Sequence, residues 1–179
     1  MTLKGALLGA GNVALNAHVP GWLETPEVEL VAAADVCRGG RDAFLAAVPG
    51  ARWYDSADEL LHAEHLDFVD ICTPTSSHLD LTIWALEQGK HVLCEKPLAL
   101  DFRETARAAG IAREKGLKTK LGFTFRYSPA MLYMKELVDQ GFCGEPYIYN
   151  AYEQNSQWLD PQTPLRQVDP TADQSRLQV

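Results

Sequence analysis

Ala6-Leu7-Leu8-Gly9-Ala10-Gly11-Asn12-Val13-Ala14 is the stretch whose reading decides the fold. A short apolar run ends in two glycines one residue apart, and a helix-compatible segment follows at once. The first glycine lets the chain turn sharply out of a strand. The second lets bare backbone approach a pyrophosphate, and the small Ala14 lets the following helix pack closely on a sheet. The first N–H groups of that helix lack intrahelical partners, and its dipole favours an anion there. Glycine pairs after apolar runs also make ordinary turns, so the rest of the chain has to carry the reading.

Working outward, residues 3–8 read as a buried strand and 12–23 as the helix after the turn, with Pro20 expected to kink or end it. A second apolar run, 28–34, closes on Asp35. The separation from Gly11 to Asp35 is a little over the spacing at which such a glycine turn expects an acid for a ribose hydroxyl. Residues 42–48 look helical, Pro49-Gly50 marks a turn, and Arg52-Trp53-Tyr54 reads as a brief edge strand. Ser56-x-x-Glu59 is a capping box opening a short helix.

Residues 66–72 form the next expected strand, ended by Thr73-Pro74. Ser77-x-x-Asp80 is read as the cap of a helix that sets Leu79, Ile83 and Leu86 on one face and stops at Gly89. Residues 91–94 make a strand feeding Glu95-Lys96-Pro97. Asp101-x-x-Glu104 caps a further helix ending near Gly116, and 118–122 is a sixth strand. This alternation predicts an α/β fold: a Rossmann-type, doubly wound, mostly parallel sheet over residues 1–122. From Ser128-Pro129 a helix runs to about 140, and 147–152 reads as a tyrosine-rich strand. These open a second α+β domain over 123–152. Residues 153–179 are polar, without period, and read as a loop or tail.

The 179 residues carry 16 basic and 24 acidic side chains, a net charge of −8. That balance argues against nucleic acid or an anionic membrane as the main partner. No apolar run approaches membrane-spanning length, and the N-terminus enters a strand with no signal-peptide pattern. Cys37, Cys72, Cys94 and Cys143 are widely separated with no metal-like pair, so buried free thiols in a reducing cytoplasm are expected, and no metal site.

Taken together, four features resemble the Gfo/Idh/MocA family of nicotinamide-dependent oxidoreductases. They are Gly9-Ala-Gly11-Asn-Val-Ala14 with His18 and Pro20, Asp35 after the second strand, Cys72-Thr73-Pro74 with His78, and Glu95-Lys96-Pro97. Phe125-Arg126-Tyr127-x-Pro129 is similar to the family's entry into its second domain. The resemblance spans about residues 3–152, and the order and spacing of the motifs make it specific. Flavodoxin-like and receiver domains share the alternation but have no need of these residues.

The resemblance implies NAD as cofactor, with NADP as an alternative, and a small-molecule sugar or polyol as substrate. Gly9, Gly11, Asn12 and Val13 are expected to cradle the pyrophosphate, and Asp35 to bind the adenosine ribose. Its carboxylate would repel a 2′-phosphate, whereas Arg38 and Arg41 just beyond would attract one. Thr73 and Pro74 would line the ribose and nicotinamide, with His78 beside them and Glu95 on the nicotinamide ribose. His18 is read as a packing or nucleotide-adjacent residue. Lys96 is the expected catalytic residue, contacting cofactor and substrate and serving the acid–base step. Hydride leaves a carbinol carbon only as its hydroxyl proton is taken, so a base is needed there. Arg126 has two open readings, surface residue or contact to a substrate hydroxyl or carboxylate.

Family members run to roughly double this length and commonly carry an Asp-x-x-x-His general base in the second domain. Residues 123–179 contain no histidine. Two readings follow: part of an oxidoreductase that binds NAD with little turnover by itself, or a non-catalytic NAD-binding sensor or partner subunit. The full-length form is expected to be a homo-oligomer. The substrate's identity is not legible.

Overall fold

The computed structural model describes residues 2–152, and its organising element is the strand that delivers the glycine turn. Strand β1 (Leu3–Leu8) lies at the centre of a six-stranded sheet together with β2 (Val28–Ala34), β3 (Arg52–Tyr54), β4 (Phe68–Ile71), β5 (His91–Cys94) and β6 (Thr119–Leu121). The order is β3-β2-β1-β4-β5-β6, with every pairing parallel. This is the doubly wound arrangement expected. The order in which strands are added reverses between β1 and β4, which opens a crevice at the carboxyl ends of those strands.

The helices are α1 (Val19–Leu23), α2 (Arg41–Ala47), α3 (Ala57–Ala63), α4 (Thr75–Glu87) and α5 (Phe102–Glu114). Side chains alternate across the strands, so each face of the sheet carries its own core. Ala6, Leu8, Val69 and Ile71 pack with Leu60, Ile83, Leu86 and Ala108 on one face. Leu7, Ala33, Ala14, Val19 and Phe44 close the other. Strands covered on both sides must be apolar nearly throughout, which is why β1, β2 and β4 read as hydrophobic runs. Asp70, fully buried in β4, is the exception.

Most boundaries match the sequence expectations, and the departures have physical causes. Helical backbone runs over residues 12–23 without stopping at Pro20. A π-helical turn, Ala14–His18, precedes α1 and puts Pro20 in the first turn of the next segment, where its missing N–H costs little. Ser77 is not a cap. Helix α4 starts at Thr75, two residues earlier, and the Ser77 hydroxyl donates to Thr73 Oγ1 at 2.8 Å. The caps at Ser56 and Asp101 form as expected, accepting the N–H of Glu59 and of Arg103. The cysteines are free, but Cys37 and Cys143 are exposed and only Cys94 is fully buried. Burial pushes its thiol up to about 12. Among the described residues no helix is long and apolar enough to cross a membrane.

The chain divides after Gly122, and a second unit begins at Phe123. It contains a 3-10 turn, Thr124–Tyr127, and helix α6 (Pro129–Asp139), capped by the Ser128 hydroxyl. Residues 147–152 are not a strand: they have exposed side chains and no ladder partner among the described residues. β-structure needs a neighbouring strand to accept its N–H and C=O groups, so pattern alone does not make it. The expected tail, 153–179, lies outside the described residues.

Candidate functional site

Loops leave the carboxyl edge of the sheet side by side, held in line because the first residue after one strand donates its backbone N–H to the last residue of the neighbouring strand. Gly9 N–H donates to Ala34 at 2.8 Å and Cys72 N–H to Leu8 at 2.7 Å. Glu95 N–H donates to Ile71 at 2.8 Å and Gly122 N–H to Cys94 at 2.9 Å. Parallel register thus brings Gly9 to Gly11, Asp35, Thr73-Pro74 and Glu95-Lys96 to one edge, at the switch point between β1 and β4.

The two glycines have different reasons to be glycine. Gly9 has φ +89°, and a Cβ there would lie 2.7 Å from Thr73 N and 2.8 Å from the Cys72 carbonyl. The close approach of the β1 and β4 loops requires it. A Cβ on Gly11 would meet nothing within 4 Å. Gly11, Asn12 and Val13 are exposed, while Ala14 is fully buried where the helix meets the sheet. Nothing in the fold therefore forbids a side chain at position 11, where a Cβ would face open space.

Asp35 orders this corner. One carboxylate oxygen accepts Ala10 N–H at 2.8 Å and the other accepts Cys37 N–H at 2.8 Å. Each carboxylate oxygen has two acceptor sites, so Asp35 keeps capacity for a ligand hydroxyl. Arg38 points elsewhere. Its guanidinium pairs with the exposed Asp55, which holds the Asp55 carboxyl below its usual range.

On the other side of β1, His78 is fully buried between two loops. Its ring nitrogens lie 2.7 Å from the Pro97 carbonyl and 2.6 Å from that of Thr73. It staples the Thr73-Pro74 turn to the Glu95-Lys96-Pro97 segment. The Lys96–Pro97 peptide bond is cis. Lys96 itself is half-buried at this edge, and Pro74 is exposed.

The sequence reading passed over a network beneath the edge. Asp70 accepts the Trp22 indole N–H at 2.6 Å, and its two oxygens lie 3.1 and 2.9 Å from His18 Nδ1. The opposite ring nitrogen, Nε2, is 3.2 Å from Glu95 Oε1. Burial lowers the His18 pKa, but hydrogen bonds and charge from Asp70 and Glu95 outweigh it and raise the value. The signal was present: a charged residue inside a strand buried on both faces requires a partner.

His18, Asp70 and Cys72 offer donor atoms within 4.8 Å of one another. Their chemistry fits hydrogen bonding rather than a metal. Asp70 is already committed to Trp22 and His18, and burial drives the Cys72 thiol well above its ordinary value, away from the thiolate a metal needs. Arg126 is exposed in the 3-10 turn of the second unit.

Comparison with known proteins agrees with this geometry. A family model described as an oxidoreductase family with an NAD-binding Rossmann fold, Gfo/Idh/MocA, matches residues 3–123. The chain is 31% identical over 150 residues to scyllo-inositol 2-dehydrogenase (NAD(+)) of Bacillus subtilis strain 168, spanning 84% of this chain and 44% of that protein. The structure of scyllo-inositol dehydrogenase from Lactobacillus casei, with bound NAD(H) and scyllo-inositol, superposes with a TM-score of 0.75. It is 28% identical and covers 81% of this chain and 43% of that one. A 3-ketoreductase from Actinomadura kijaniata, solved with NADP and TDP-benzene, gives 0.72 at 27% identity over 79% of this chain and 43% of that one. The chain therefore spans less than half the length of these relatives.

Proposed function

Since the chain belongs to the Gfo/Idh/MocA oxidoreductase family, we propose that it binds NAD along the carboxyl edge of its sheet and serves hydride exchange with a sugar or polyol. What carries this reading is the alignment of four loops at the switch point, with Gly11 facing open space beside an Asp35 that keeps acceptor capacity. Those residues fit a dinucleotide. Gly9, Gly11, Asn12 and Val13 would hold the pyrophosphate through backbone, and Asp35 the adenosine ribose. Thr73, Pro74 and Glu95 would hold the nicotinamide half, with His78 bracing both loops from within.

The nicotinamide, when bound, supplies the hydride acceptor or donor. The chain's part is positioning and proton transfer. Lys96 Nζ would take the proton of the substrate hydroxyl during oxidation and return it during reduction. Arg126 would orient a substrate hydroxyl or carboxylate, and residues 123–152 would begin the substrate domain. Two of the relatives named above are scyllo-inositol dehydrogenases, which supports a polyhydroxylated substrate. Because residues 123–179 carry no histidine, turnover by this chain alone is expected to be small.

NAD is expected over NADP, because Asp35 presents negative charge and Asp55 occupies Arg38. Calorimetric titration of the purified chain with each nucleotide tests this. Binding of NAD in the micromolar to millimolar range, tighter than NADP, is the expected result. No binding of either by a folded chain would overturn the proposal.

A further inference from the structure

The network under the edge joins three charged groups that local sequence patterns do not connect. Asp70 lies in β4, His18 in the π-helical turn before α1, and Glu95 just past β5. All three side chains are largely shielded from water: 0% exposed for Asp70, 10% for His18 and 13% for Glu95. We infer that His18 is a positioning residue: anchored on Asp70, it directs its second N–H at Glu95 and sets that carboxylate for the nicotinamide half of the cofactor. This rests on the reading of Glu95 given above.

Three observations converge on it. First, the ring is held from behind. Asp70 accepts from both Trp22 and His18, so the imidazole plane is fixed before it meets Glu95. Second, Glu95 is held at its other oxygen, where Oε2 accepts the N–H of Lys96 at 3.2 Å. His18 therefore acts on the carboxylate that also caps the backbone of the residue expected to move the proton. Third, the wall behind Glu95 is glycine. A Cβ on Gly122 would lie 2.3 Å from Glu95 Oε1 and 2.9 Å from its Cδ. The side chain occupies its place over the end of β6 only because residue 122 has none.

The arrangement also predicts a pH dependence. A neutral imidazole carries one N–H, so it serves only one of two carboxylates, whereas imidazolium serves both. The groups facing the ring are Asp70 from β4 and Glu95 from the loop just past β5, with the Cys72 thiol donating to Asp70 at 3.7 Å. Because the folded-state value of His18 is raised, the clamp is complete at low pH, below the value of a free histidine, and loosens as pH rises through the raised value. Cofactor affinity should fall over the same interval.

The test is calorimetric binding of NAD to the full chain from pH 5.5 to 9, as wild type, His18→Gln, Glu95→Gln and the double variant, with thermal midpoints recorded alongside. The expected result is an affinity loss of about tenfold for His18→Gln near neutral pH, with the pH dependence flattened. The double variant should bind no worse than Glu95→Gln alone, because His18 acts through that residue. In the ligand-free chain, the His18 ring observed by NMR should titrate lower in Glu95→Gln. Losses that multiply in the double variant, or an unmoved ring titration, would overturn the positioning role while leaving the Glu95 reading intact. Failure of the wild type to bind NAD would overturn both. Should His18→Gln not fold, the wild-type pH series and the ring titration in Glu95→Gln carry the test. NAD affinity that does not fall as pH rises through the His18 titration would sink the proposal.

Discussion

At the scale of single residues, the glycine turn separates structural need from ligand need. Gly9 is demanded by its own backbone angle and by the Cys72 and Thr73 backbone in its way, whereas nothing in the protein forbids a methyl on Gly11. Gly9→Ala should therefore cost about 3 kcal/mol in stability, because both strain and overlap oppose it. Gly11→Ala should leave the melting temperature within about 1 °C, as expected for an exposed substitution without a strained φ, yet weaken NAD binding by about tenfold. Thermal unfolding and calorimetry on the two variants check this. Equal loss of stability would return Gly11 to a purely structural role. Asp35 lies between these cases: its spacing from the glycines made it legible, but its hydrogen bonds to Ala10 and Cys37 were not. A change at Asp35 will disturb the loop as well as any ribose contact, so it separates the two roles poorly.

At the scale of elements, what the sequence revealed was whatever one segment decides by itself. Apolar runs marked β1, β2 and β4, and the caps at Ser56 and Asp101 involve residues only two or three positions apart. One expectation failed locally: α4 follows Pro74, and the Ser77 hydroxyl turns back to Thr73. The other failed because its decisive partner lies elsewhere, and residues 147–152 find no neighbouring strand among the described residues. The network was illegible for the same reason, since His18 reaches Asp70 across 52 positions and Glu95 across 77. β4 shows what such a partner is worth. Trp22 packs its ring 4.8 Å from Phe68 while its N–H serves Asp70. Trp22→Phe keeps an aromatic ring but loses the donor and part of the indole's bulk, leaving a buried carboxylate short of one bond. It should lower stability to chemical denaturation by about 2 kcal/mol with an unchanged m-value. An unaltered midpoint would mean that water replaces the indole.

At the scale of the whole molecule, the chain gathers all six strands, both core clusters and the aligned loops in residues before Phe123. The first unit thus has the parts of an autonomous nucleotide domain, with cores on both faces of one open parallel sheet. The second unit differs in kind. Met131, Leu132, Tyr133 and Val138 on α6 are exposed, and α6 buries no side chain. A helix with an apolar surface and no covering layer among the described residues gains little from packing there, so its residues contribute little to the stability of the first unit. A chain ending at Ser128, which keeps Gly122 in place behind Glu95, should therefore unfold cooperatively and bind NAD within about twofold of the 179-residue form. Excess NAD should raise its melting temperature as it does that of the longer chain, because both forms present the same residues to the nucleotide. Calorimetry and thermal unfolding on the shortened chain decide the matter. Loss of NAD binding by a folded 128-residue chain would mean that residues beyond Ser128 complete the cofactor site. Arg126 would then no longer be the last candidate contact in the sequence.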